Sequence, residues 1–287
     1  MDFLKCPLCG SEFAGVADSL KCRNNHTYDI AKKGYLNLFN GQTKIVKTYG
    51  RNLFEARKII SDAGLYGRLT EKLCEIINNT NGFYPILDAG CGCGNLTVDI
   101  FNICAKINRR LTVAVDLSKD GIDFASGNFS GEDLIWIVGN LNNLPLSDCK
   151  FGIILNVMSP ANYAEFKRVM LPDGVLLKVM PDADYLKELR RFIYRENDKN
   201  EYSNKDVLSN LEENSKNLFM SISDIINVKY THAVGKADVR ALFDMTPLTL
   251  NIDERERVKD ELTDSLNDGG KFMVTLAFKI AVCKNKI

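Results

Sequence analysis

An excess of charge of either sign is missing from this sequence: 37 Lys and Arg stand against 37 Asp and Glu. Overall electrostatics therefore give no support to a nucleic-acid partner. Long hydrophobic runs are missing too. No apolar stretch approaches the roughly 20 residues that a membrane-crossing helix needs, and the opening MDFLKCPLCG lacks the apolar core of a signal peptide. These absences point to a cytoplasmic protein with no membrane attachment. Histidine is scarce, with His26 and His232 alone, so imidazole chemistry has little to draw on. No P-loop lysine accompanies the glycine-rich loop, which counts against nucleoside triphosphates as ligands.

Cysteine, by contrast, is present nine times. An odd number in a chain without export signals argues against a disulfide framework. Three of the nine cluster near the start with His26: CPLCGSEFAGVADSLKCRNNH reads C-x2-C-x12-C-x3-H. Zinc takes four tetrahedral thiolate or imidazole ligands, and this spacing places Cys6 and Cys9 on one knuckle and Cys22 with His26 on another. A segment this short buries little core by itself, so a metal clip would supply the missing stability. Four protein ligands close the site, which makes its role structural. Residues 1–60 also hold ten Lys and Arg against five Asp and Glu, compatible with a phosphate-facing region. We read 1–40 as a zinc-binding domain, polar 41–52 as a linker, and 53–287 as the main domain.

From residue 53 the pattern changes. Apolar residues at Leu65, Leu69, Leu73, Ile76 and Ile77 recur at helical spacing, and Gly64 and Gly67 predict a break near Tyr66. A strand, PILDAG, then leads through glycines into NLTVDIFNICAKI, and a second strand, LTVAVDLS, ends in Asp116. Further alternation follows: a helix over 119–128, strands DLIWIVGN and FGIILNV, helix NYAEFKRVM, turn LPDG and strand VLLKVM. Such alternation predicts a parallel sheet with helices on both faces, binding its ligand where the strand order reverses. Polar residues 195–217 read as a solvated insertion with at most one short helix.

Asp88-Ala89-Gly90-Cys91-Gly92-Cys93-Gly94 puts an acid at the strand end and glycine at every second position. Gly90, Gly92 and Gly94 would let backbone approach a ligand with no Cβ in the way. Asp116 would accept from two ribose hydroxyls, and Asn140 ends the third strand. An acidic loop suits a ligand with an ammonium group and no phosphates, and S-adenosylmethionine meets these requirements. Cys91 and Cys93 lack two further ligands nearby and read as small pocket-lining residues. The stretch NVMSPANY offers Asn156 and Ser159 as acceptor contacts, and Asp244 in ALFDMTPL is a candidate base.

CPLC…C…H, AKKGYLNLF, EARKIISDAGLY, LDAGCGCG, VDLSK, LPLSD, LPDGVLLKVMP, YLKELRRFIY and ALFDMTPL together resemble the RlmA-type 23S rRNA (guanine-N1)-methyltransferases, over nearly the whole chain. The resemblance implies an α/β class I (Rossmann-like) methyltransferase fold behind a small zinc-binding domain. It implies transfer of the S-adenosylmethionine methyl to guanine N1 in a 23S rRNA hairpin loop, leaving S-adenosylhomocysteine, by a homodimer. It assigns Cys6, Cys9, Cys22 and His26 to zinc. Tyr66, Asp88, Gly90, Gly92, Cys93, Gly94, Asn95, Leu96, Asp116, Leu117, Asn140, Leu141 and Tyr185 fall to the cofactor. Two positions depart from the pattern: Tyr185 replaces a cofactor-contacting histidine, and Cys93 stands where an acidic residue is common. A small-molecule methyltransferase of the same fold, or a cofactor-binding protein with a decayed acceptor site, are the alternatives.

Overall fold

The computed structural model describes residues 2–16, 19–41, 50–80, 82–194, 203–218, 220–250 and 252–286. Three short strands, β1 (Phe13–Val16), β2 (Ser19–Cys22) and β3 (Thr27–Asp29), form an antiparallel sheet that frames the first cysteines. Strand β4 (Leu36–Asn37) follows and leaves that sheet: it pairs in parallel with the main one, Leu36 opposite Ile137 and Asn37 opposite Val138. The expected linker at 41–52 falls largely on 42–49, outside the described residues.

Helices α1 (Arg51–Asp62) and α2 (Gly67–Asn79) are separated as the glycines predict. Gly64 takes φ 81°, a left-handed conformation that costs other residues energy, and Tyr66 caps α2. Leu69, Leu73 and Ile77 line one face of α2 at four-residue steps and are fully buried. Each such burial contributes about 1.5–3 kcal/mol.

Strand–helix alternation then runs through β5 (Ile86–Ala89), α3 (Asn95–Ala105), β6 (Thr112–Asp116), α4 (Lys119–Asn128), β7 (Leu134–Val138), β8 (Phe151–Val157), α5 (Tyr163–Val169) and β9 (Met170–Pro181). The C-terminal part adds α6 (Lys187–Tyr194), α7 (Lys205–Asn217), β10 (Met220–Gly235), α8 (Lys236–Asp244), α9 (Arg255–Asp264) and β11 (Lys271–Asn285). Among the described residues, eight strands share one sheet in the order β10-β11-β9-β8-β5-β6-β7-β4. Chain order reverses around β5, which has β6 on one side and β8 on the other. The loops leaving the carboxyl ends of these strands open a crevice there.

Three details differ from the sequence reading. The sheet is mixed, because β11 runs antiparallel to both β9 and β10; the alternation seen in the middle of the chain does not extend to its end. The LPDG turn is a bulge inside β9, where the register shifts between Phe151 and Ile153. Of the polar stretch 195–217, residues 195–202 lie outside the described set. Residues 205–217 form the 13-residue α7, which buries Leu211 against the sheet.

Candidate active site and metal centre

The metal centre begins with two knuckles. Gly10 at φ 71° turns the chain after Cys9, and Asn25 at φ 64° turns it between Cys22 and His26; Gly10 N–H donates to the Cys6 carbonyl at 2.8 Å. The Sγ atoms of Cys6 and Cys22 each lie 3.5 Å from His26 Nδ1, and those of Cys9 and Cys22 lie 3.7 Å apart. A tetrahedral zinc with bonds of about 2.3 Å to sulfur and about 2.0 Å to nitrogen sets ligand edges of about 3.8 and 3.5 Å. The four residues therefore fit a closed, structural zinc. The Ser11 hydroxyl at 3.1 Å from Cys9 pulls that thiol down to about 5, toward the thiolate that a metal requires.

This unit is stitched to the sheet. Leu4 bridges to Leu146, Lys5 N–H donates to the Pro145 carbonyl at 3.0 Å, and Leu38 N–H donates to Val138 at 2.9 Å. Phe3, Leu4, Leu20 and Tyr28 share a buried cluster with Leu87, Val113 and Ile154 of the sheet. The expected boundary at residue 40 thus passes through shared packing, because β4 belongs to the large sheet.

At the switch point the three glycines of the loop have different tasks. A Cβ on Gly90 would strike the Ser159 hydroxyl, and one on Gly94 would strike the Trp136 ring; both positions are closed by packing. Gly92, at φ 58°, would meet nothing nearer than an Arg57 nitrogen at 3.6 Å. Its backbone is half-buried. Its N–H donates to Asp116 Oδ2 at 2.8 Å, and Ser118 N–H donates to Oδ1 at 2.8 Å. A carboxylate has about four acceptor positions, so Asp116 keeps capacity for a diol. Leu117 beside it is exposed, and Leu141 lies 3.7 Å from where a Gly90 Cβ would stand. Asn140 Oδ1 accepts from Asn142 N–H at 2.9 Å and shapes its own turn.

Asp88 is buried beneath the loop, where the Thr97 hydroxyl donates to it at 2.6 Å. Burial pushes it up to about 7. Asn95 and Leu96 open α3 directly after Gly94; the Asn95 Oδ1 is buried with no partner among the described residues. Cys93 packs with Leu53, Phe54 and Phe124, a small apolar seat where an acidic side chain would be desolvated.

Opposite the loop stand Tyr66 and Tyr185, hydroxyl to hydroxyl at 3.1 Å, both rings against Phe278. Between them and the loop lies Arg57 of α1, a residue that sequence reasoning passed over. Its Nε donates to the Met245 carbonyl at 3.1 Å. Burial pushes Tyr66, Cys93, Asp116 and Tyr185 upward, and the Arg57 guanidinium pulls each back. EARK gives no signal of this destination, because the turn of a lone arginine is decided only when α1 packs beside the loop.

The acceptor candidates separate. Ser159 overhangs Gly90. Asn156 is fully buried and committed: its Nδ2 donates to the Ala89 and Pro160 carbonyls at 2.7 and 3.0 Å, and its Oδ1 accepts from Lys178 Nζ at 2.5 Å. Asp244 is engaged by Arg255 at 2.5 Å and by Lys259 at 3.2 Å, so its carboxylate is committed to ion pairs between α8 and α9.

The Asp116 carboxylate, the buried Asp88 beneath a glycine-rich backbone, and Arg57 beside two tyrosines thus stand together at the switch point. The fold and this site define a class I S-adenosylmethionine-dependent methyltransferase carrying a zinc ribbon. Comparison with known proteins agrees: residues 4–47 match the family model described as RlmA, N-terminal, and residues 86–174 match a methyltransferase domain. YxjB of Bacillus subtilis (strain 168), named provisionally as a 23S rRNA (guanine-N(1)-)-methyltransferase, is 36% identical over 251 residues, covering 85% of this chain and 86% of that protein. The 23S rRNA (guanine(748)-N(1))-methyltransferase of Streptomyces fradiae is 30% identical over 194 residues, covering 65% and 66%. Among solved structures, YcgJ from Bacillus subtilis aligns with a TM-score of 0.48 at 17% identity, covering 76% of this chain and 98% of that one. The chain belongs to the RlmA-type family of 23S rRNA (guanine-N1)-methyltransferases.

Proposed function

We propose that this protein methylates N1 of a guanine in a 23S rRNA hairpin loop, with S-adenosylmethionine as donor. The observation that carries the reading is the glycine-rich backbone at Gly92, held by the Asp116 carboxylate and bordered by Arg57, in a chain of this family. Asp116 would take the ribose hydroxyls, Arg57 the methionine carboxylate, and Asp88 would answer the ammonium through the loop. The cofactor supplies an electrophilic methyl group. What the protein adds is alignment, since in-line transfer depends on holding the two reacting atoms close and collinear. Ser159, at the edge of the crevice, is the side chain placed to touch the acceptor. Asn156 and Asp244 act by positioning, the first by tying β5 to the 156–160 loop and the second by bracing α8 against α9.

The base must leave its stack to reach the crevice, which favours an unpaired loop nucleotide. The zinc ribbon would supply a surface for the RNA backbone. Because the acceptor is ribosomal RNA, we place the enzyme in the cytoplasm, and the family resemblance leads us to a homodimer. Among the described residues no helix is long and apolar enough to cross a membrane. Incubation of unmodified 23S rRNA with enzyme and donor, followed by reverse transcription, tests the reading. A new stop one nucleotide before a single guanine is expected, because N1 methylation blocks pairing. Methyl transfer to a small molecule with no stop on the RNA would overturn it.

A further inference from the structure

Lys178 is a buried cation that the site described above leaves without a task. It lies on β9 opposite Asn156 of β8 and is 4% exposed. Two of its three N–H groups are spent on Asn156 Oδ1 at 2.5 Å and the Ser159 carbonyl at 2.6 Å. Among the described residues, no carboxylate pairs with it. Burial pushes it down to about 8, the direction expected of an ammonium without a counter-charge. Such a group is retained at a cost unless something balances it.

The same lysine lines a cavity of about 500 Å³ at the carboxyl tips of β8 and β9. That volume lies within the range of roughly 300–1,000 Å³ usual for small-ligand pockets. Met158, Pro160 and Val179 give it apolar walls, Tyr163 and Asp206 are its other ionisable groups, and Ser159 is a wall residue as well. Since the Ser159 hydroxyl overhangs Gly90, the cavity and the cofactor loop share one side chain.

We propose that this cavity receives the acceptor purine and that the Lys178 ammonium hydrogen-bonds guanine O6 during transfer, making Lys178 a catalytic residue. The inference rests on the guanine-N1 reading. In the transfer, the N1 lone pair forms the bond to the methyl carbon, the carbon–sulfur bond breaks with its electrons left on sulfur, and the N1 proton passes to water. As that proton leaves, negative charge gathers on O6, and a desolvated cation beside it offsets that charge. Lys178 keeps its own protons throughout. Adenine presents an amino donor where guanine has O6, so the same contact disfavours it.

The test uses the full chain with labelled donor and unmodified 23S rRNA, comparing wild type with K178M and K178R. Transfer by K178M should fall by about 10²-fold, with cofactor affinity by calorimetry unchanged and melting lowered only by the few degrees that two lost buried hydrogen bonds cost. K178R should keep most of the rate. The wild-type rate should decline as pH rises above about 8, and K178R should lose that decline. K178M transferring methyl at the wild-type rate would overturn the proposal while leaving the function standing. So would loss of cofactor affinity in parallel with rate, which would make Lys178 structural. A wild-type protein that binds cofactor but leaves 23S rRNA unmethylated would instead sink the functional reading, and this proposal with it.

Discussion

The hydroxyls of Tyr66 and Tyr185 lie 3.1 Å apart across 119 positions of sequence. Tyr66 comes from the start of α2 and Tyr185 from the turn before α6, and Phe278 of β11 packs against both rings. The wall facing the glycine loop is thus assembled from three distant segments. At position 185 the chain places a phenol whose hydroxyl is satisfied by another phenol.

Tyr185→Phe removes one half of this buried pair. A lost hydrogen bond of this type costs about 0.5–1.5 kcal/mol, and about 1 kcal/mol shifts melting by roughly 2–4 °C in a chain of this size. Calorimetric melting should show that drop. An unchanged melting temperature would mean that the phenols do not support each other.

Arg57→Met should weaken cofactor binding by roughly 10- to 100-fold, the loss of a charged hydrogen bond of about 1.5–3 kcal/mol. S-adenosylhomocysteine should lose affinity in proportion, because it keeps the carboxylate. 5′-Methylthioadenosine, which lacks that group, should bind wild type and variant alike. Equal losses for all three ligands would show that Arg57 only holds the fold.

Asp88 sets a pH dependence. Its carboxyl is raised to about 7 in the folded protein from an ordinary 3.8. Between these values the native state holds a proton that the unfolded chain has released, so the contribution to stability is present at low pH and is lost as pH rises through about 7. A cationic ligand above it favours the ionised form. Cofactor affinity should therefore rise from pH 6 to pH 8, and Asp88→Asn should flatten the profile. A flat wild-type profile would remove Asp88 from the ligand's surroundings.

Zinc removal should act at a distance. Chelation, or Cys6→Ser combined with Cys9→Ser, is expected to lower melting by about 5–10 °C, corresponding to a few kcal/mol. Hydrogen exchange should speed up at Leu36 and Leu38, whose backbone bonds run to β7. Cofactor affinity should stay within about threefold, a margin of less than 1 kcal/mol, because Gly92 and Asp116 belong to β5, β6 and their loops. Loss of cofactor binding on chelation would contradict that separation.

The parts of this protein legible in sequence are those written by short-range chemistry. Cys6, Cys9, Cys22 and His26 announce a metal by spacing alone, and DAGCGCG followed by Asp116 announces a nucleoside pocket because backbone shape and strand ends are local. Arg57 and Lys178 were not legible. Each reaches its destination only when a helix or strand packs beside others, and nothing in EARK or LLKV states which way the side chain turns. The pairing of β10 with β11 was missed for a related reason: the exposed residues of edge strand β10 blur its alternation, and α8 and α9 separate the partners. Glycine, too, was read too simply, since Gly90 and Gly94 are dictated by packed neighbours, while Gly92 has room for a Cβ and is marked by its positive φ.

The short strand β4 has a mechanical consequence. Main-chain bonds to β7 and the Leu4–Leu146 bridge clamp the ribbon at two points, so it cannot swing like a tethered arm. An RNA gripped there would meet the catalytic crevice at one fixed spacing and one fixed angle. The contour of the folded transcript, rather than a hinge in the enzyme, would then decide which nucleotide arrives.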